Sequence, residues 1–218
     1  LNLLALGDTG WGDELLGGAF ITFSLALATL PFGLAIGLAI ALMSRSHSWL
    51  TGTFATAFTT FFRGVPELLT LYIIGFGLPI ALKKFLLLIG IQSNFDLPAF
   101  IAGMIALGLV VGAFSSEVWT GALNSVTKGQ HEAAAALGLT KKQSFRLVVF
   151  PQLLRVALPG IGNNWMVLLK ETSLVSVLAL PDLMFWTGRA NVVTKEPFLF
   201  FGVAMLIGRF IMIIPTLA

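Results

Sequence analysis

The sequence predicts an all-α integral membrane protein with five transmembrane helices. Of its 218 residues, 57% are hydrophobic and 11% charged, against about 25% charged in an ordinary soluble domain. Mean hydropathy is +0.94. The longest uncharged run, Leu15 to Met43, has 29 residues, more than the roughly 20 that a helix needs to cross the hydrocarbon core. The basic residues gather mainly near the ends of those runs. A net charge of +3 distributed in this way reads as membrane topology rather than nucleic-acid binding. The chain has no cysteine, which excludes disulfides and thiolate metal sites. There is no initiator methionine, and both ends read as trimmed.

Leu1 to Glu14 carries acids and Trp11 but no base, and reads as an interfacial segment on the outer face. Leu15 to Met43 is the first span, with Pro31 expected to kink it. Ser44 to Ser48 is a short inner turn holding Arg45 and His47. Trp49 to Leu82 is too long for one span. Either its first part lies low in the membrane or the helix is long and bent, and Arg63-Gly64-Val65-Pro66-Glu67 marks the break. Lys83 to Asp96 reads as an outer loop. Leu97 to about Val126 is the third span, with Gly103, Gly108 and Gly112 suited to close packing in lipid. About Leu153 to Leu180 is the fourth and most polar span. Pro181 to Pro197 is an outer segment in which Pro181-Asp182 suits a first helical turn. Phe198 to Leu217 is the fifth span, with Arg209 near its inner end and placed to snorkel.

The chain is organised around residues 127–159, the longest stretch with no credible span. Four of the thirteen basic residues lie there before Pro151: Lys128, Lys141, Lys142 and Arg146. Thr127 with Gln130, and Thr140 with Gln143, each form a capping-box pattern. Alanines 133 to 136 favour helix, and Gly138 can end the first helix in a left-handed turn. The expectation is a helix, a sharp turn and a second helix outside the bilayer. Inner segments carry Arg45, Lys128, Lys141, Lys142, Arg146 and Arg155 against Glu132 alone. Outer segments carry mostly acids. This asymmetry places the N-terminus outside, and the 127–159 loop and the C-terminus inside.

Charges within the spans are costly and mark cavities or helix bridges. The candidates are Arg63, Glu67, Glu117, Lys170, Glu171 and Arg209. Lys170 and Glu171 are adjacent and point about 100° apart on a helix, so they do not form an ideal pair. Asn163 falls on the same face as Lys170 or Glu171. A zwitterion would use Lys170, Asn163 or a free helix N-terminus for its carboxylate, and Glu171 for its ammonium. Glu117 is available to a basic side chain. Bridging between helices is the alternative at each position, and Arg63 and Glu67 have the spacing to pair with each other. No phosphate loop of the G-x-x-x-x-G-K-[ST] type is present. No histidine pair has metal-binding spacing, and neither His47 nor His131 suits a Ser-His-acid arrangement. These residues give no support to an enzyme.

Glu132-Ala133-Ala134, then Gly138, then Val148-x-Phe150-Pro151 resembles the EAA loop of ABC importer permeases, with Phe150 departing from the usual Ile-x-Leu-Pro ending. Arg63-Gly64-Val65-Pro66-Glu67-Leu68-Leu69 looks like the R-G-[TV]-P signature of polar amino acid permeases. Lys128-Gly129-Gln130-x-Glu132 and Leu169-Lys170-x-Thr172-Ser173-Leu174 match the same subfamily. Ala157 to Trp165 is similar to the Q-type subunit of histidine, lysine, arginine and opine importers. The resemblance covers nearly the whole chain. It implies a single permease domain, residues 1–218, of the type I importer (MetI-like) architecture, with a coupling loop at residues 127–151. It implies a transport subunit for polar, basic amino acids or opines in the bacterial inner membrane, working by alternating access. Glutamine or glutamate as cargo is the alternative, and a stand-alone channel or secondary carrier a more distant one.

The implied partners are a second, M-type permease subunit, two cytoplasmic ATPases that hold ATP and magnesium, and a periplasmic binding protein. No cofactor, metal or nucleic acid is expected on this chain. The implied substrate-side residues are Glu171, Lys170, Asn163, Glu117, Arg63 and Ser173. The implied ATPase-coupling residues are Glu132, Ala133, Ala134, Gly138, Lys141 and Pro151, with Glu132 placed either to meet an ATPase arginine or to favour its own helix dipole.

Overall fold

The computed structural model describes residues 2–7, 10–91 and 96–216. Among them the regular elements are all helical. Helix α1 is Gly12–Ser44 and α2 is Trp49–Gly64. Helix α3, Glu67–Tyr72, runs through a π-turn, Ile73–Gly77, into α4, Leu78–Leu88. Helix α5 is Ala99–Ser125, and the loop helices are α6, Lys128–Ala136, and α7, Lys141–Ser144. A second π-turn, Phe145–Val149, leads into α8, Phe150–Glu171, which tightens to a 3₁₀ turn, Thr172–Leu178. Helices α9, Leu183–Thr194, and α10, Pro197–Thr216, complete the chain.

Four helical runs are long and apolar enough to cross a membrane: Gly12–Ser44, Glu67–Leu88, Ala99–Ser125 and Lys141–Leu178. Helix α10 supplies a fifth, shorter apolar stretch. The five-helix expectation therefore holds in number, with two boundaries corrected. The long second run divides, as expected, at the Arg63–Glu67 segment. There Pro66, at φ −55° and ψ 137°, lies outside the helical region and accepts the N–H groups of Leu69 and Thr70. Lys83 and Lys84 lie inside α4 rather than in a loop. Lysine is a good helix former whose long stem lets its ammonium reach water. The stretch from residue 141 is not separate from the fourth span, because α7 continues without a break into α8. Asp8, of the outer N-terminal segment, lies outside the described residues.

Both π-turns end two residues before a proline, at Pro79 and Pro151. Proline has no N–H for the preceding turn, so the ladder loosens there instead of breaking. Pro31 is carried inside an unbroken α1.

The chain divides into two compact units. The first is Leu1–Pro31, Val65–Gly108 and Met166–Ala218, and the second is Phe32–Gly64 and Leu109–Trp165. In the first unit α9 docks on α1. Its Leu183 N–H donates to Thr22 Oγ1 at 3.2 Å, and the Thr22 hydroxyl donates to the Gly18 carbonyl at 3.0 Å. Leu183, Thr187 and Ala190 are buried, so α9 is more than the surface helix expected at Pro181-Asp182.

In the second unit α1 and α5 lie in close contact. A Cβ at Gly37 would stand 2.9 Å from the Gly112 carbonyl, and one at Gly112 would stand 2.6 Å from Ile36. That approach lets Ser115 reach the Gly33 carbonyl at 3.3 Å and Trp119 Nε1 reach the Leu34 carbonyl at 3.0 Å. Glycines of this kind allow backbones to close on each other in lipid, where dispersion and polar contacts replace the hydrophobic effect. Ala41, Trp119, Ala122, Leu153 and Ala157 form the buried centre of this unit.

Candidate functional site: an amphipathic core helix and a capped loop

Helix α8 has two distinct faces. Leu153, Ala157, Trp165, Leu168 and Leu169 are buried, and Arg155, Leu158, Asn163, Val167 and Lys170 are exposed. The alternation follows the 3.6-residue period. In the second unit it presents Asn163, and in the first unit Lys170, while Glu171 is only half-buried. Ser173 is half-buried and its hydroxyl donates to the Lys170 carbonyl at 2.6 Å. Its proton closes the helix end, and its oxygen keeps acceptor capacity.

Within the first unit, Glu67 at the start of α3 is the charged neighbour of Glu171. Helix α3 packs against the 3₁₀ turn that directly follows Glu171. The i, i+4 spacing had suggested Arg63 as the partner of Glu67. Arg63 instead pairs with Glu117 of α5 in the second unit, and its guanidinium lies 5.6 Å from the Phe114 ring centroid. The break at Val65-Pro66 explains the correction. Residues 63 and 67 lie on two separate helices, so helical spacing does not apply between them.

The loop between α5 and α8 is built as the capping pattern requires. Thr127 N–H donates to Gln130 Oε1 at 3.2 Å. Thr140 N–H donates to Gln143 Oε1 at 2.9 Å, and Gln143 N–H returns a bond to Thr140 Oγ1 at 3.4 Å. Gly138, at φ +76°, makes the left-handed turn, and the Gly138 and Leu139 N–H groups return to the Ala135 and Ala134 carbonyls. Ala134 is buried, while Glu132, Ala133, Lys141, Lys142 and Arg146 are exposed, and Leu137 stands 80% exposed at the tip. Gln130 also donates from its Nε2 to Gln152 Oε1 at the foot of α8, a tie between the loop and α8 that sequence spacing did not reveal. Pro151 lies in the first turn of α8, behind the π-turn. Among the described residues, no group of three or more His, Cys, Asp or Glu has an arrangement able to hold a metal ion.

Residues 33–217 match the family described as binding-protein-dependent transport system inner membrane component. The chain belongs to that family. It is an integral membrane permease of the ABC importers, a transport subunit rather than an enzyme. The chain is 43% identical over 198 residues to the histidine/lysine/arginine/ornithine transport system permease protein HisQ of Salmonella typhimurium, covering 91% of this chain and 86% of that one. It is 38% identical over 208 residues to the nopaline transport system permease protein NocQ of Agrobacterium fabrum, covering 95% and 88%. Among solved structures, a crystal structure of an amino acid ABC transporter with histidines superposes with a TM-score of 0.69 at 28% identity, over 95% of each chain. The MetNI methionine ABC transporter superposes at 0.57 with 18% identity, which supports the fold alone. These likenesses agree with the resemblance drawn from the motifs.

Proposed function

We propose that this permease carries polar amino acids with a cationic side chain, or opines, across the inner membrane by alternating access. The observation that carries the reading is the packing of α3, which opens with Glu67, against the 3₁₀ turn that directly follows Glu171 in the first unit. Two carboxylates in one low-dielectric region repel each other until a cation neutralises them. An ammonium or guanidinium group meets that need better than the neutral amide of glutamine or the added negative charge of glutamate. Lys170, exposed on α8 in the first unit, supplies a donor for a substrate carboxylate, and Ser173 supplies an acceptor. Glu117 and Arg63 belong to the second unit. The names of the relatives, which include histidine, lysine, arginine, ornithine and nopaline systems, point the same way.

Residues 127–151 serve as the coupling loop of this single permease domain. Exposed Glu132, Ala133 and Lys141 meet an ATPase, Gly138 sets the turn, buried Ala134 packs α6 in place, and Pro151 lies where the loop enters α8. A stiff loop passes on ATPase motion that a soft one would absorb. Two ATPase subunits holding ATP and magnesium, an M-type second permease and a periplasmic binding protein complete the machine. The charge asymmetry supports an outer N-terminus and an inner C-terminus.

The test is ATPase activity of the reconstituted complex with amino acids presented by the binding protein. Arginine, lysine, histidine or an opine should stimulate it, and Glu171→Gln should reduce the stimulation. Stimulation by glutamine or glutamate alone would overturn the cationic reading.

A further inference from the structure

The second unit has an open-sided cavity of about 460 Å³ between α1, α2 and α5. Its wall is chemically one-sided. Five hydroxyls line it, on Ser44, Thr56, Thr59, Ser116 and Thr120. Each donates its proton to a carbonyl of its own helix: Ser44 to Ala41, Thr56 to Gly52, Thr59 to Ala55 and Thr56, Ser116 to Ala113, and Thr120 to Ser116. A hydroxyl that has spent its proton offers only lone pairs. The carboxylate of Glu117 opens into the same space. Among the lining side chains, only the Asn124 amide still has hydrogens to offer, and its oxygen accepts from Arg45.

A wall of acceptors around a carboxylate has no use for an anion or a neutral acceptor. It suits a group with several N–H donors and a positive charge. The chain already supplies one such group. Arg63 pairs with Glu117 from the edge of the cavity, with Phe114 beneath its guanidinium. The Glu117 side chain nevertheless remains 58% exposed, so its other lone pairs are accessible.

We infer that this cavity is a cation site of the permease, in which Glu117 exchanges Arg63 for the ammonium or guanidinium end of the passing substrate. Arg63 keeps the carboxylate neutralised while the site is empty, and the Phe114 ring holds the displaced guanidinium close by. Glu117 lies eight residues before the end of α5, about 12 Å along the axis at 1.5 Å per residue. The site therefore serves the end of the path nearer Arg45 and the coupling loop. The inference rests on the cationic-substrate reading above, but its test does not use the transported substrate.

The chain has no native cysteine, so a single introduced thiol reports on the cavity alone. Gly121 lines the cavity, and a Cβ there meets nothing within 4 Å. In the assembled complex, with each rate divided by that of the same reagent with a small free thiol, Gly121→Cys should react at least about tenfold faster with a cationic methanethiosulfonate than with an anionic one of similar size, a ratio equivalent to ~1.4 kcal/mol of site preference. Labelling is read on this subunit by mass. Guanidinium at a non-denaturing concentration should slow the cationic reaction more than the same concentration of sodium chloride. Glu117→Gln should remove both the preference and the protection. Thr56→Cys, on the opposite wall, gives a second reporter should the first disturb assembly, and guanidinium protection needs no change at Glu117. Equal normalised rates for the two reagents would show a permanently closed ion pair and overturn the inference. So would a preference that Glu117→Gln leaves unchanged. A cavity that passes this test in a complex stimulated only by neutral amino acids would stand, while the proposed substrate class would fall.

Discussion

Gln130 and Gln152 join the first loop helix to the foot of α8 through their side-chain amides. The same Gln130 side chain accepts the Thr127 N–H that opens α6. One residue therefore fixes where α6 begins and what it is tied to. On the proposed coupling role, this tie passes displacement of α6 to α8. Gln152→Ala removes the tie and leaves the capping box, whereas Gln130→Ala removes the tie and the Gln130 side-chain half of the box. A lost cap costs about 1 kcal/mol, equivalent to about fivefold in an equilibrium. Uptake per ATP hydrolysed should fall by roughly that factor in Gln130→Ala, and by less in Gln152→Ala, with basal ATPase activity retained. Wild-type stoichiometry in both variants would remove the tie from the mechanism.

Gly138 stands at φ +76° with open space around its Cα. Any cost of substitution there is one of backbone conformation, since no neighbour is struck. A left-handed L-residue costs about 1–2 kcal/mol, and β-branching adds to it. Gly138→Val should weaken stimulation of the ATPase and uptake together. Gly138→Asn, which tolerates the left-handed region, should retain most of both. Equal behaviour of the two variants would show that the turn is not what the loop needs.

The loop was legible in the sequence because its signals are local. A hydroxyl and an amide three residues apart, and a glycine after an alanine run, specify caps and a turn without help from the rest of the chain. The apolar runs were legible for the same reason. What spacing could not supply was partnership across distance. Arg63 lies 54 residues from Glu117, so the pair arises only when α2 and α5 meet. The break at Pro66 was visible, but its consequence, that Arg63 and Glu67 part company, was not drawn from it. Lys83 and Lys84 misled because charge was read as loop, although a lysine in the last turns of a span can extend its stem to water. The packing of α3 on the turn after Glu171 likewise depends on two segments that are remote in sequence.

Gly17 and Gly18 are neighbours in α1 with opposite surroundings. A Cβ at Gly18 would stand 2.7 Å from the Asp182 carbonyl, and one at Gly17 would meet nothing within 4 Å. The obstructing atoms at Gly18 are backbone, at the point where Leu183 N–H meets Thr22, and they have no rotamer with which to yield. Gly18→Ala should lower the Tm of the purified complex, at a cost of about 1–3 kcal/mol in overpacking. Gly17→Ala should leave Tm level or raise it slightly, because alanine favours helix over glycine. A Tm for Gly18→Ala equal to that of Gly17→Ala would contradict the close docking of α9 on α1.

Asp182 caps α9, with Oδ1 accepting from Phe185 N–H at 2.8 Å. Its side chain is buried, and Oδ2 has no hydrogen-bond partner among the described residues. Burial pushes the carboxyl up from 3.8 to about 6, although the backbone N–H bonds pull the other way. The folded protein therefore holds this proton more tightly than the unfolded chain does. Between pH 4 and 6 the folded state binds more protons, so stability falls as pH rises through that window. Above about 6 the penalty for a buried charge is fully present, of order 2–3 kcal/mol. Asn at this position retains the capping oxygen and carries no charge. Asp182→Asn should match the parent in Tm near pH 4, where both side chains are neutral. It should exceed the parent increasingly up to pH 6 and by a constant margin at pH 7 and above. Measured as the difference between the two proteins, this profile separates Asp182 from every other group titrating in the same range. A difference that stays level from pH 4 to 7 would mean that the carboxyl titrates normally and that water reaches Oδ2.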